Sequence, residues 1–266
     1  PVLVDIDLNT LTIDTSLIEK KITKKTRAIL LVHQFGHACE MDKILKISKK
    51  YKLKIIEDNA ESIGGKYKGN LLGTLGDLST YSFFGNKIIT SGEGGAILTN
   101  DKYVAKKCRE LRDHGMSIEK KYHHLDLGYN YRMTNMQAAV GLAQLEELSN
   151  ILDMRKKQMD YYYKELSNIK GFTLRKFAKW CEPVHWLLTM IIDENYSRNK
   201  FINFMQSNNI ECRQMINPVY NAVHLKNQYN SKDFPIANNI SKQSVHLPSS
   251  LSLTQKKLDI IIKSVK

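Results

Sequence analysis

Apolar runs and amphipathic patterns alternate along the first hundred residues. The run "RAILLVHQFG" is apolar up to a glycine turn, and "LKIIEDNA" has the same character after the helical pattern "MDKILKISKKYK". Apolar runs of this length are typical of parallel strands buried on both faces. A strand, a helix and a strand at this spacing predict a right-handed βαβ unit. Two shorter strands are predicted in "LSTYSFF" and "GGAILTN".

The second half of the chain has a different pattern. A long helical pattern runs from Thr134 or Asn135, either of which could cap it, to about Leu166. Short strand patterns then alternate with helical ones up to a last helix over "TQKKLDIIIKSV". We therefore predict an α/β fold with two domains: a large one over 1–150, with a mostly parallel sheet and flanking helices, and a small α+β domain over 151–266.

The composition narrows the class of protein. The chain has 266 residues, of which 42% are hydrophobic and 25% charged, enough for a sizeable buried core. No apolar run approaches the ~18–20 residues that a membrane span needs. The four cysteines lie far apart and form no CxxC pair, so we expect no metal site, no disulfide framework and a cytoplasmic location.

The net charge of +13 raises the question of nucleic-acid binding. The basic residues are scattered over many predicted helix faces and do not form one block with interleaved aromatics. We therefore expect no nucleic-acid partner. A lysine-rich solvated surface explains the charge, and its field could help to gather an anionic small substrate.

Candidate chemistry lies at the ends of the predicted strands. Ligands of an open parallel sheet bind beyond the carboxyl ends of its strands, where Glu57 and Asp58 end one strand and Ser82 another. Lys87 follows in "SFFGNKIITSGEGG", among aromatics and glycines. Each feature alone has an ordinary structural explanation, such as a strand-end acid or a hairpin turn. Together, an aspartate, a serine and a lone lysine suit an aldehyde cofactor with a ring nitrogen and a phosphate.

Several long motifs in order resemble one enzyme family. They are "EDNAES", "GTLGDLSTYSFFGNKIITSGEGGAILTND", "LRDHG" and "YHHLDLGYNYRMTNMQAAVGLAQLEEL". They resemble the DegT/DnrJ/EryC1/StrS sugar aminotransferases, and the similarity extends from "PVLVDID" to "VHLPSS". The resemblance implies a fold-type I enzyme that depends on pyridoxal 5'-phosphate, bound by the domain over 1–150.

The resemblance also implies roles for individual residues. Lys87 would bond to the cofactor aldehyde and, once released by substrate, would move the proton. Asp58 would pair with the pyridine nitrogen, and Ser82 would bind the phosphate. Glu61, where many relatives have glutamine, would lie near the phenolic oxygen. Asn130 would reach the phosphate of the neighbouring subunit's cofactor, so a homodimer with a shared active site is expected.

Contacts with the substrate are less clearly indicated. His33 in "VHQFG" could shape the pocket or touch the substrate, and the first role is favoured. His185, with Trp186 beside it, is expected mainly to pack, with some substrate contact. Arg213 could bind a substrate phosphate or be a solvated arginine at a strand edge.

Within the family, the motifs look most like enzymes that aminate C4 of a nucleotide-diphosphate-linked 4-keto-6-deoxy sugar, as in GDP-perosamine synthesis. Glutamate is the expected amino donor, and polysaccharide or glycoconjugate synthesis the expected process. Three alternatives stay open: a non-catalytic relative that binds nucleotide sugars, a pyridoxal-phosphate-dependent sugar dehydrase and an inositol-type aminotransferase. Some family members have histidine at the place of Lys87 and act as dehydrases, so the lysine favours transamination.

The start of the chain differs from the family pattern. Residues 1–7 alternate apolar and acidic positions, which predicts a strand, and the first residue is Pro1. Relatives have about a hundred residues upstream of the equivalent segment, including part of the phosphate loop and an aromatic that stacks on the cofactor. We expect the sequence to be the C-terminal part of a longer polypeptide.

Overall fold

The first half of the chain is built on a four-stranded sheet. The computed structural model describes residues 1–225 and 228–266. The sheet strands are Ala28–Val32 (β1), Lys54–Asp58 (β2), Leu78–Ser82 (β5) and Gly95–Leu98 (β6), in the order β1-β2-β5-β6. β1, β2 and β5 are parallel, whereas β6 runs antiparallel to β5. The mostly parallel sheet is therefore confirmed.

The predicted βαβ unit is also present. Helix α2 (Met41–Tyr51) connects β1 to β2 and buries Met41, Ile44 and Ile47 against the sheet. The helix ends at Lys52, whose backbone is left-handed with φ 54°. The other helices of this half are α1 (Thr15–Lys21), α3 (Lys102–Arg112) and α4 (Asn135–Glu146).

The predicted long helix is two helices. α4 is followed by α5 (Leu148–Leu166), and the backbone between them leaves helical geometry at Glu147 (φ −89°, ψ 2°). Thr134, one of the two predicted caps, caps α4 through a capping box with Gln137. No residue of α4 is buried, whereas α5 buries six. α5 therefore packs into the core and α4 does not, a difference that the continuous helical pattern of the sequence does not reveal.

The second half contains a sheet of the strands Phe172–Leu174 (β7), Leu188–Ile192 (β9), Arg213–Gln214 (β10) and Ser244–Leu247 (β11). The sheet is antiparallel and has the order β10-β11-β9-β7. The helices are α6 (Arg198–Ser207), α7 (Pro235–Gln243) and α8 (Gln255–Val265). One apolar cluster contains Met159 and Tyr162 of α5, Met190 of β9 and Ile261 of α8. α7 and β11 were not predicted, because α7 has only three apolar positions (Ile236, Ala237 and Ile240) among polar residues and β11 is only four residues long.

A small third sheet joins the two halves. It has the order β4-β3-β8 and consists of Lys66–Tyr67 (β3), Asn70–Leu71 (β4) and Cys181–Glu182 (β8). A further apolar cluster also takes residues from both halves, among them Phe35, Ile88 and Trp186. The division at residue 150 therefore stays a prediction. Residues 1–7, predicted as a strand, form only an isolated bridge between Ile6 and Ile13.

Candidate active site

The parallel register brings the predicted strand-end residues to one edge. Asp58 is the last residue of β2 and lies opposite Thr80 of β5, two residues before Ser82. Asp58 is half-buried, and its Oδ1 accepts one hydrogen bond, from the Ala60 N–H at 2.9 Å. Ser82 is also half-buried, and its Oγ accepts the Phe84 N–H at 3.3 Å. Both side chains can therefore still form hydrogen bonds with a ligand at this edge of the sheet.

Lys87 lies on the turn that follows β5, largely withdrawn from solvent. Its side chain is 15% exposed, and its Nζ lies 3.7 Å from Oε1 of Glu61, which is 13% exposed. The Nζ also lies 4.1 Å from the centroid of the Trp186 ring. An amine between one carboxylate and one aromatic face differs from the solvated lysines of the surface, because few water molecules reach it.

Glu61 is fixed by the backbone of a distant turn. Its Oε2 accepts the Phe35 N–H at 2.6 Å. Burial raises the pKa of Glu61 above its usual value, opposed by the Phe35 N–H and the charge of Lys87. The negative charge of Asp58 raises this pKa further, so Asp58 and Glu61 belong to the same electrostatic environment. Phe35 has a left-handed backbone, φ 51°, which directs its N–H to the carboxylate.

The glycine-rich segment closes a hairpin beside Lys87. Gly92 and Gly94 have positive φ angles of 82° and 127°, and the Phe83 N–H donates to the Gly94 carbonyl at 2.9 Å. A Cβ added to Gly95 would meet the Tyr81 carbonyl oxygen at 2.5 Å. Glycine is therefore required by the close approach of β5 and β6, and the hairpin determines where the Lys87 turn begins.

A cavity of about 860 Å³ adjoins Lys87. Its walls include Asn86, Trp186, His246 and Arg213, so residues from both halves of the chain surround the amine. Arg213 is exposed and lies on β10 opposite His246. The predicted candidate Arg213 thus shares a cavity with Lys87.

His33 lies away from any accessible surface. It is 0% exposed, and its Nε2 lies 3.0 Å from Oε2 of Glu57 while its Nδ1 accepts the Cys39 N–H at 3.0 Å. Both ring nitrogens are therefore occupied, and the ring has no access to a substrate in this structure. The structural role that the sequence favoured fits this geometry, and the expected substrate contact does not.

His185 and Asn130, the remaining candidates, contact other residues. His185 is half-buried and packs edge-on against Phe177, with 5.3 Å between ring centroids, and burial lowers its pKa to about 4. Asn130 is exposed and pairs with Asp113 in an isolated bridge. Within residues 1–225 and 228–266, no group of three or more histidine, cysteine or acidic side chains is arranged to bind a metal ion.

Trp186 and Phe35 are the site residues that sequence reasoning undervalued. Trp186 was expected to pack, yet its ring faces the Lys87 amine. Phe35 was not singled out, although the glycine that follows it in "HQFG" indicates a turn.

Known proteins are similar to this chain in sequence and in fold. All 266 residues match the DegT/DnrJ/EryC1/StrS aminotransferase family. The chain belongs to this family. Its predicted fold, enzyme class and pyridoxal phosphate cofactor are thereby confirmed.

Individual relatives are longer than this chain. It is 39% identical to a GDP-perosamine synthase of Escherichia coli O157:H7, over 100% of this chain and 72% of the relative. A GDP-perosamine synthase of Caulobacter vibrioides is also 39% identical, with the same coverage. The crystal structure of S. venezuelae DesV superposes with a TM-score of 0.93 at 29% identity, over 100% of this chain and 71% of that one.

Proposed function

We propose that the protein transfers an amino group from glutamate to C4 of a nucleotide-linked 4-keto-6-deoxy sugar. The Lys87 amine, enclosed by Glu61 and Trp186 beside a large cavity, is the observation that carries this proposal. Relatives named GDP-perosamine synthase support the sugar substrate class. The reaction yields an amino-dideoxy sugar of the kind used in surface polysaccharides.

The residues present fit pyridoxal phosphate. Asp58 offers a carboxylate to the ring nitrogen, Ser82 a hydroxyl to the phosphate, and Lys87 an amine to the aldehyde. When bound, the cofactor supplies an electrophilic carbon and a ring that accepts an electron pair. Glu61, held by the Phe35 N–H, orients the Lys87 amine through its charge. With the cofactor bound, Lys87 Nζ would accept a proton from the substrate carbon and donate it again.

Substrate recognition is proposed for the cavity beside Lys87. Arg213 offers a guanidinium that suits a phosphate of the nucleotide diphosphate. His185 is a second candidate, for the sugar, although its ring packs on Phe177. The dehydrase alternative has less support, because Lys87 is present and enclosed.

We further propose a homodimer in which Asn130 reaches the partner's site. Leu127, Tyr131 and Met136 are 85%, 71% and 82% exposed, an unusual density of large apolar side chains for a solvent-facing surface. A second copy covering this region would bury them beside Asn130. Sedimentation of the full chain should give the dimer mass, and a monomer at micromolar concentration would contradict this part.

The cytoplasm is the proposed location. All four cysteines are free thiols. Unpaired cysteines suit a reducing compartment. No helix in the described parts of the chain has the length and hydropathy to cross a membrane.

Labelling of Lys87 tests the proposed function. The full chain is incubated with pyridoxal phosphate, reduced with cyanoborohydride and mapped by mass spectrometry, and amino transfer is followed as 2-oxoglutarate formed from glutamate with GDP-, dTDP- and UDP-linked 4-keto sugars. We expect Lys87→Ala to abolish both the label at this position and amino transfer. Lys257→Ala, which removes an exposed lysine of the same cavity, is the matched control and should retain the Lys87 label. Full amino transfer by Lys87→Ala would refute the assignment.

A further inference from the structure

Trp186 contacts the Lys87 segment at two points. Its indole Nε1–H donates to the carbonyl oxygen of Asn86, the residue before Lys87, at 2.6 Å. Its ring centroid lies 4.1 Å from the Lys87 Nζ. Trp186 is 7% exposed, so its ring is largely shielded from bulk water, and a cation–π contact is stronger in such a place than at the surface.

The main chain of Trp186 is held as well as its ring. The Trp186 carbonyl accepts hydrogen bonds from Arg155 Nη1 at 3.2 Å and from Ser249 Oγ at 3.0 Å. Arg155 projects from α5 and also donates to the Ser249 carbonyl at 3.1 Å. The Trp186 ring stacks on Phe35, with centroids 6.2 Å apart. The position of the ring is thus determined by the second half of the chain and by the turn that orients Glu61.

These contacts restrict an otherwise mobile side chain. A lysine has four rotatable side-chain bonds, and the cavity of about 860 Å³ leaves room for many of its conformations. The indole N–H fixes the peptide group that precedes Lys87, the ring face attracts the ammonium, and Glu61 attracts it through its charge. Neither contact is made by any other aromatic side chain that the structure records near Lys87.

We propose that Trp186 is a positioning residue for the Lys87 amine, through its N–H on the preceding carbonyl and its ring beneath the ammonium. The proposal rests on the proposed role of Lys87 as the lysine that bonds to the cofactor. According to this proposal, a residue of the second half of the chain helps to position the Lys87 amine, which belongs to the first half.

Two substitutions separate the contributions of the indole. Trp186→Phe keeps an aromatic face but has no N–H, whereas Trp186→Leu removes both. The chain contains one other tryptophan, which provides a matched control. Trp180 packs against His37 and Tyr67, with ring centroids 5.3 and 5.2 Å away, and Trp180→Phe leaves the Lys87 contacts intact.

The readout is the ratio of pyridoxal phosphate label at Lys87 to label at Lys257 after reduction of the full chain. Both lysines line one cavity, so the ratio corrects for cofactor concentration and access. We expect Trp186→Phe to lower the ratio about 2- to 12-fold, the effect of one hydrogen bond. Trp186→Leu should lower it further, and Trp180→Phe should leave it within about twofold of the unsubstituted chain. Thermal unfolding of each variant identifies those that fold.

The outcomes separate this proposal from the proposed function. If the unsubstituted chain shows no preference for Lys87 over Lys257, the proposed function fails. If that preference is present and a folded Trp186→Phe variant keeps the same ratio, the positioning role of Trp186 is overturned, whatever the leucine variant does. A lower ratio in folded Trp186→Phe with an unchanged ratio in Trp180→Phe supports it.

Discussion

Glu57 and His33 form a fully buried pair, with Glu57 Oε2 3.0 Å from His33 Nε2 and both side chains 0% exposed. Glu57 also accepts the N–H groups of Gly73 and Leu75, each at 2.8 Å. Burial opposes the charge of Glu57, but hydrogen bonds from His33 and from backbone N–H groups outweigh it and lower the pKa of the carboxyl. Adjacent residues of a strand face opposite sides, so this structural role of Glu57 leaves Asp58 for the site.

Removal of the Glu57 carboxylate should destabilise the large sheet. Glu57→Ala leaves several buried N–H groups and His33 without an acceptor, and we expect the free energy of unfolding to fall by about 3–5 kcal/mol. Glu182→Ala is the matched control, since Glu182 is 60% exposed and pairs with Lys66 at the surface. Its expected effect is below about 1 kcal/mol. Urea denaturation measures both, and similar losses in the two variants would contradict the buried role of Glu57.

Substitutions of Glu61 should distinguish its charge from its hydrogen bond. Glu61→Gln removes a charge whose burial is unfavourable and keeps an oxygen for the Phe35 N–H, so stability should change by less than about 1 kcal/mol. Glu61→Leu leaves that N–H without an acceptor and should cost about 1–3 kcal/mol. Urea denaturation of the two variants measures the difference. Equal stability of the glutamine and leucine variants would show that the Phe35 contact contributes nothing.

Two glycines close together in sequence should respond differently to alanine. Gly95→Ala places a Cβ 2.5 Å from the Tyr81 carbonyl oxygen, so the hairpin must deform at a cost of about 1–3 kcal/mol. At Gly85 the nearest atom to an added Cβ is 3.8 Å away, and Gly85→Ala should fold with unchanged stability. Thermal unfolding checks both variants. A destabilised Gly85→Ala together with an unaffected Gly95→Ala would contradict the described hairpin.

Acid should destabilise the protein through buried histidines. Burial lowers the pKa of His37 and of His246 from 6.5 to about 4. The unfolded chain therefore binds protons at a higher pH than the folded chain does. The free energy of unfolding should be at its full value above pH 6.5 and should fall as the pH drops toward 4, by up to about 3 kcal/mol for each histidine.

Urea denaturation at pH 8, 6 and 5 measures this decrease. His246→Asn should make it shallower, because one of the three histidines with a lowered pKa (His37, His185 and His246) no longer titrates. A free energy of unfolding that stays constant between pH 8 and pH 5 would contradict the neutral, buried state of these histidines.

The sequence by itself determined the features that depend on neighbouring residues. The βαβ unit, the Thr134 cap and the position of Lys87 in a turn beside a glycine hairpin all follow from periodicity and backbone preference over a few residues. The resemblance to the aminotransferase family then indicated the fold type and the cofactor, and it predicts Lys87 as the lysine that bonds to the cofactor. The break at Glu147 escaped the same reasoning, because no proline or glycine marks it in the segment "LEELSNIL".

Only the tertiary structure decided which side chains meet at the amine. The pairs that define its surroundings are distant in sequence: Phe35 with Glu61, and Trp186 with Asn86 and Lys87. The same holds for His33, whose Nε2 pairs with Glu57, 24 residues away. Local patterns constrain the backbone over a turn or a strand, whereas the burial and partners of a polar side chain depend on how distant segments pack together.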